Sequence, residues 1–198
     1  MALSNHSKGL VSPNSADIDS IFVRIVDNKL IAHRNEMMAP DPPGGRLSDY
    51  IPFYLGPRPP MLYQIATGFE DIEQFPQEDL IYLIKSFESI QYNNLQYFFT
   101  DGHARTFTSH FYTDPQDFNK LDWETVYSST WNNTETDRSR QQRKQAEFLV
   151  KDYVPWKCIE LIGVFNVKAE KQVYSVLKKH EVTIQIKVSP KKLYYDHL

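Results

Sequence analysis

The chain has 198 residues, 41% of them hydrophobic and 14% aromatic, which is enough to bury the core of one domain and too much for a disordered chain. Its 22 basic and 25 acidic side chains leave a net charge of −3. That balance argues against coating duplex DNA by phosphate neutralisation, although a local basic strip still suits a short single strand.

Residues 1–20 are polar and hold no lasting period, and 1–17 read as a loop or arm; Met1–Lys8 carries no apolar signal region. From Ile18 to Arg34 the apolar residues Ile18, Ile21, Phe22, Ile25, Leu30 and Ile31 follow a partly helical spacing. Met37–Gly45 (MMAPDPPGG) breaks the chain, because its prolines cannot continue a helix and Gly44-Gly45 invites a tight turn. Tyr50–Leu55 and Leu80–Phe87 read as short strands, the second apolar enough to be fully buried. Tyr97–Thr100 is a third strand, ending at the turn dipeptide Asp101-Gly102. Asp122–Tyr127 reads as a short helix. Ser128–Gln145 is polar apart from Trp131 and reads as a long surface loop running into a basic helical piece. Ala146–Val150 and Ile159–Val167 read as strands, Ala169–Lys179 as a helix and Val182–Val188 as an alternating strand. The expectation is one α+β domain over 1–198.

No apolar run, Ile51–Leu55 included, approaches the roughly 20 residues that span a bilayer. A lone Cys158 can form no internal disulfide, and no zinc-like cysteine or histidine spacing surrounds it. The chain is thus expected to be cytoplasmic, without a membrane or a metal. Neither a Gly-x-Gly-x-x-Gly nor a Walker loop is present, and His-Glu-x-x-His and Gly-x-Ser-x-Gly are absent too.

Glu147 interrupts an otherwise apolar strand. Either that strand has a wet alternate face, or the carboxylate serves chemistry such as stabilising a developing oxocarbenium ion. Asp137–Lys144 places Arg138, Arg140, Arg143 and Lys144 within seven positions. They are either a solvated helix face or a grip on phosphates, with Trp131 and Tyr127 as stacking surfaces for unpaired bases. His103 lies just past a strand end, where side chains reach into clefts, yet a lone histidine is more often structural. Arg34 taken alone is a surface arginine, and the Pro- and Tyr-rich stretch Asp49–Tyr63 is a rigid, aromatic-lined segment.

Together, Gly44–Tyr63 (GGRLSDYIPFYLGPRPPMLY), Phe99–Ala104 (FTDGHA), Asp122-Trp123 and Arg143–Val150 (RKQAEFLV) resemble the DarT-type DNA ADP-ribosyltransferases. These are bacterial toxins paired with a DarG macrodomain antitoxin. The four motifs keep their order and spacing from about Gly9 to Tyr195. The resemblance implies an ADP-ribosyltransferase fold, with two small, roughly orthogonal sheets, an NAD cleft between them and flanking helices. It implies transfer of ADP-ribose from NAD to a base of single-stranded DNA in a sequence-dependent way, thymidine favoured over guanosine. Glu147 would be the catalytic glutamate and Arg34 would hold NAD and assist deprotonation of the base, with Tyr50 and Tyr54 also at the cofactor. Residues 131–144 would be the substrate-recognition loop, and His103, Met61 and Tyr63 would line the DNA side. The family's opening strand and helix, with a His-Ile-x-Asn-Leu-like motif, has no counterpart here, and His6 does not replace its histidine by position. A member that binds single-stranded DNA without efficient turnover, a protein-directed transferase and a plain interaction domain remain as other readings.

Overall fold

A computed structural model describes residues 2–3, 9–17, 33–69, 72–195 and 198. The Ile18–Arg34 helical reading lies outside them except for its end, where 33–36 are helical. The centre is a four-stranded antiparallel sheet. It is built from β3 (Tyr50–Tyr54), β5 (Tyr97–Thr100), β6 (Phe111–Tyr112) and β7 (Glu147–Lys151), in the order β3-β7-β5-β6. The inner strand β7 has Glu147 through Val150 all buried, which is why its sequence is a nearly continuous apolar run rather than an alternating one. Pro52 is tolerated in β3 because that strand lies at the sheet edge.

One face of this sheet carries an aromatic core. Phe99 stacks on Phe118 at 4.2 Å between centroids, Tyr97 on Phe148 at 5.0 Å, and Phe87 meets Tyr97, Phe118 and Phe148 edge-on. The Lys85 ammonium lies over the Phe53 and Phe148 rings at 4.4 and 4.2 Å. Its aromatic, water-poor setting pulls its pKa down to about 7.

Two three-stranded sheets flank the centre. One joins β1 (Ala2–Leu3), β2 (Gly9–Val11) and β8 (Tyr153–Pro155); the other joins β4 (Tyr82–Ile84), β9 (Leu161–Val164) and β10 (Gln185–Val188). Residues 9–11, expected in an arm, are instead a buried strand paired on both sides. Their three apolar or small residues are too few to show a period. The Leu80–Phe87 reading also needs correction. Only Tyr82–Ile84 forms strand, half-buried at a sheet edge, because the Ser86 hydroxyl accepts from Ser89 N–H and starts a helix at Phe87. Asp122 caps a helix over Trp123–Tyr127 and Asn166 one over Val167–Lys179, close to their readings. The strands read at Ile159–Val167 and Val182–Val188 are shorter, Leu161–Val164 and Gln185–Val188. Gln185–Val188 alternates exposed and half-buried.

Candidate active site

Three connections converge on the start of β7. The first runs from the helical turn at 33–36 to β3. Met37 N–H donates to His33 O, Ala39 N–H to Gly45 O and Leu47 N–H to Met37 O, so the chain doubles back through Gly44 and Gly45. Both glycines have positive φ (70° and 94°), and a Cβ on Gly45 would lie 2.7 Å from Asp49 Oδ2. The Arg46 guanidinium donates to Asn35 O at 2.5 Å. This fold-back delivers Arg34 to β7.

A second connection leaves β5. Thr100 is fully buried; its hydroxyl donates to Gly102 O at 2.6 Å and accepts from Glu147 N–H at 3.2 Å. The following turn is closed by Thr106 N–H to His103 O (2.8 Å), Ser109 N–H to Thr106 O (2.9 Å) and Ser109 Oγ–H to His103 O (2.8 Å). That brings the Ala104 N–H to 3.1 Å from Glu147 Oε1.

Glu147 itself is 2% exposed. Its Oε2 accepts from Arg34 at 3.3 Å, while Oε1 faces Ala104 N–H and lies 3.2 Å from His103 Nδ1. That last contact is an ion pair only if the imidazole is protonated. Burial lowers the His103 pKa more than the Glu147 carboxylate raises it. Moreover, Nδ1 already accepts from Arg105 N–H at 3.1 Å. With its pKa lowered from 6.5, the ring is neutral at pH 7. Opposite Glu147 in the register stands Tyr54. Burial, and then the Glu147 carboxylate, raise its phenol above the ordinary value. Two buried atoms there have no hydrogen-bond partner among the described residues: NH2 of Arg34 itself and Oδ1 of the adjoining Asn35. Unmet buried polar groups are costly, and a polar substrate lying there would meet them.

The structure thus brings together Glu147, Arg34, His103 and Tyr54. It does not bring Tyr50 with them. That ring is fully buried, edge-on to Phe98 at 4.8 Å, and its hydroxyl donates to Gly44 O at 2.6 Å; burial pushes its pKa up to about 12. Tyr50 is a core residue holding the glycine turn, and its predicted place at the cofactor is corrected accordingly.

The third connection, 128–145, is expected to be a free basic loop but is pinned. Trp131 Nε1–H donates to the Tyr195 hydroxyl at 2.7 Å, and Tyr63 packs edge-on to both rings at 5.8 and 5.6 Å. Tyr195 in turn donates to Arg58 O at 2.8 Å. Arg143 is held by Asp122 at 2.8 Å and by both oxygens of Asp137 at 3.1 and 2.8 Å. Lys144 is 2% exposed, and all three of its ammonium hydrogens go to carbonyls. Lys144 is thereby removed from the expected phosphate contacts, because its donors are spent within the protein, while Arg143 is ion-paired to two carboxylates. Arg140 reaches Ser128 Oγ and Thr130 Oγ1 at 3.3 Å. Of the residues expected to meet DNA, only Arg138 and Tyr127 are exposed, and Met61 is half-buried on the helix Pro60–Thr67. Asn35, Ala104 and Tyr195 escaped the sequence reading. A backbone N–H and a single asparagine carry no sequence signature, and Tyr195 lies 64 residues from Trp131.

Among the described residues no group of three or more His, Cys, Asp or Glu could hold a metal, and no helix is long and apolar enough to cross a membrane.

Residues 6–195 match the family described as ssDNA thymidine ADP-ribosyltransferase, DarT. A DNA ADP-ribosyl transferase of Thermus aquaticus is 38% identical over 146 residues, 74% of this chain and 63% of that protein, so the chain spans less than two thirds of that relative. The solved structure of Thermus sp. 2.9 DarT in complex with ADP-ribosylated ssDNA superposes with a TM-score of 0.87 at 30% identity. It covers 98% of this chain and 93% of that one. The same Thermus protein in complex with NAD+ gives 0.82 at 29% identity, over 98% and 94%.

Proposed function

The chain belongs to the DarT family and has its ADP-ribosyltransferase fold, and on that premise we propose that it moves ADP-ribose from NAD to a base of single-stranded DNA. The acceptor is thymidine before guanosine, chosen in a sequence-dependent way. The observation that carries this reading is the buried Glu147 carboxylate, fixed by Arg34 and Ala104 N–H at the mouth of three converging connections. In the reaction the bond between ribose and nicotinamide breaks, a bond from the same ribose carbon to the base forms, and the base gives up a proton. Positive charge gathers on the ribose as nicotinamide leaves. A carboxylate held in place in a water-poor site stabilises that state more than it stabilises bound NAD.

Arg34 and Asn35 fit the substrates. The unmet NH2 donor and Oδ1 acceptor suit an oxygen and an N–H of NAD or of the base, and Arg34, already at the carboxylate, is the residue to favour loss of the base proton. His103 and Tyr54 border the same carboxylate and line the cleft. A macrodomain hydrolase of the DarG type is the matching antitoxin, because the product carries ADP-ribose.

The test supplies NAD labelled on its ADP-ribose half with single-stranded DNA, RNA and protein acceptors in parallel. Label on single-stranded DNA, removed by a macrodomain hydrolase, is the expected result. Label on protein alone, or DNA binding with no label transferred, overturns the reading.

A further inference from the structure

Phe107 is fully exposed, at 100%. A solvent-facing phenylalanine on loosely held chain is ordinary, but this one stands on a closed turn. The 101–110 connection is held by His103 O, which accepts from Thr106 N–H and Ser109 Oγ–H. It is also held by Asp101, which accepts from His110 N–H at 2.8 Å. Thr108 Oγ1 donates to Gln142 Oε1 at 3.0 Å, and Gln142 Nε2 to Ser109 Oγ at 3.2 Å. The turn is thus braced against the helix Arg140–Lys144, the end of the segment that leads into Glu147. The same turn supplies Ala104 N–H to the carboxylate. Three residues span at most about 11 Å, so the Phe107 backbone lies within one or two nucleotide lengths of the reacting centre.

An aromatic on a braced turn at that distance is suited to stacking. Base faces are apolar and flat, every base has one, and a held backbone turn with only two side-chain torsions to fix loses little entropy on contact. Arg105 stands two residues before it, half-buried, where a guanidinium can meet the strand's phosphates. Of the other exposed aromatics, Tyr92 and Tyr174 sit on helices that contribute nothing to the carboxylate's surroundings. Phe69 stands beyond the helix Pro60–Thr67, and Tyr127, 58% exposed, ends a helix and packs on Trp123.

We propose that Phe107 is the stacking platform for a nucleotide flanking the acceptor base, and so sets how tightly the strand is held and which neighbours are accepted. This rests on the single-stranded DNA reading above. It assigns to the 101–110 turn a part in recognition that the sequence placed in the 131–144 segment.

The experiment measures binding of a fluorescent single-stranded oligonucleotide without NAD, so that failure to transfer ADP-ribose does not touch the result. Phe107→Ala is expected to bind about 5- to 100-fold more weakly, and Phe107→Trp to bind as the parent does. Oligonucleotides with one abasic site at each position beside a central thymidine identify the stacked base. At one position the abasic site weakens the parent as much as Phe107→Ala does, and the variant loses nothing more. Equal affinity of Phe107→Ala and the parent overturns the proposal, as does an abasic series in which every position costs the two proteins alike. Because the side chain is wholly in solvent, the variant has no packing to lose.

Discussion

Lys144 and Glu147 are two buried charges three residues apart, each 2% exposed, and they have opposite fates. The ammonium donates to Pro57 O at 2.7 Å, Val126 O at 2.7 Å and Ser128 O at 2.8 Å, so all three of its hydrogens are used. Burial, and secondarily Arg58, pull its pKa down to about 8, yet it stays largely charged at neutral pH and ties three stretches of chain together. The carboxylate has about four acceptor positions, and Arg34 and Ala104 N–H fill two. One buried charge is saturated by backbone and belongs to the fold. The other keeps capacity in reserve beside a guanidinium nitrogen that has no partner among the described residues. Saturation, more than burial, separates a structural charge from a chemical one.

The sharpest test of this contrast removes the unsaturated charge. Glu147→Ala is expected to raise the transfer barrier by about 2–4 kcal/mol, some 30-fold to several hundred-fold in rate, while circular dichroism shows the fold retained. Near-normal transfer by the folded variant would take Glu147 out of the mechanism.

Lys144→Met tests the saturated partner. It leaves three carbonyls without their donor, each loss worth about 1–3 kcal/mol, but relieves the burial of a charge. A net loss of about 2–3 kcal/mol is expected in urea unfolding, with oligonucleotide affinity per folded molecule unchanged. An unaltered unfolding midpoint with weakened DNA binding would return Lys144 to the DNA surface.

The smallest effect belongs to His103, which faces the same carboxylate. Its pKa is lowered on folding from 6.5, so below that value the unfolded chain binds the proton more readily and stability falls as the pH drops. The loss is complete once the pH passes below the folded value. His103→Gln is expected to flatten the fall in stability as the pH drops below about 6.5. If parent and variant fall in parallel over that range, the ring is not being held neutral by its surroundings.

Much of this architecture is legible in the amino-acid sequence. The β7 strand, its interrupting glutamate, the helices capped by Asp122 and Asn166 and the Gly44-Gly45 turn follow from local rules: apolar period, capping side chains and positive φ. Those rules act over a few residues, and a sequence displays them directly. The order of the motifs that mark the family is displayed in the same way. The polarity of residues 128–145 is equally plain, but polarity does not say where a donor goes.

Chain brought from far away settles that. Lys144 meets Pro57 across 87 residues, Trp131 meets Tyr195 across 64, and Arg34 meets Glu147 across 113. An arginine, lysine or tyrosine has the same letter whether its hydrogens go to water, to phosphate or to a buried carbonyl. Local pattern names the residues able to carry charge into the site and the strand that holds the carboxylate. The folded chain alone makes Lys144 and Tyr50 spend their bonding capacity inside the protein while Glu147 and Arg34 keep part of theirs. A hydrogen bond is allotted by proximity in three dimensions, which local pattern does not encode.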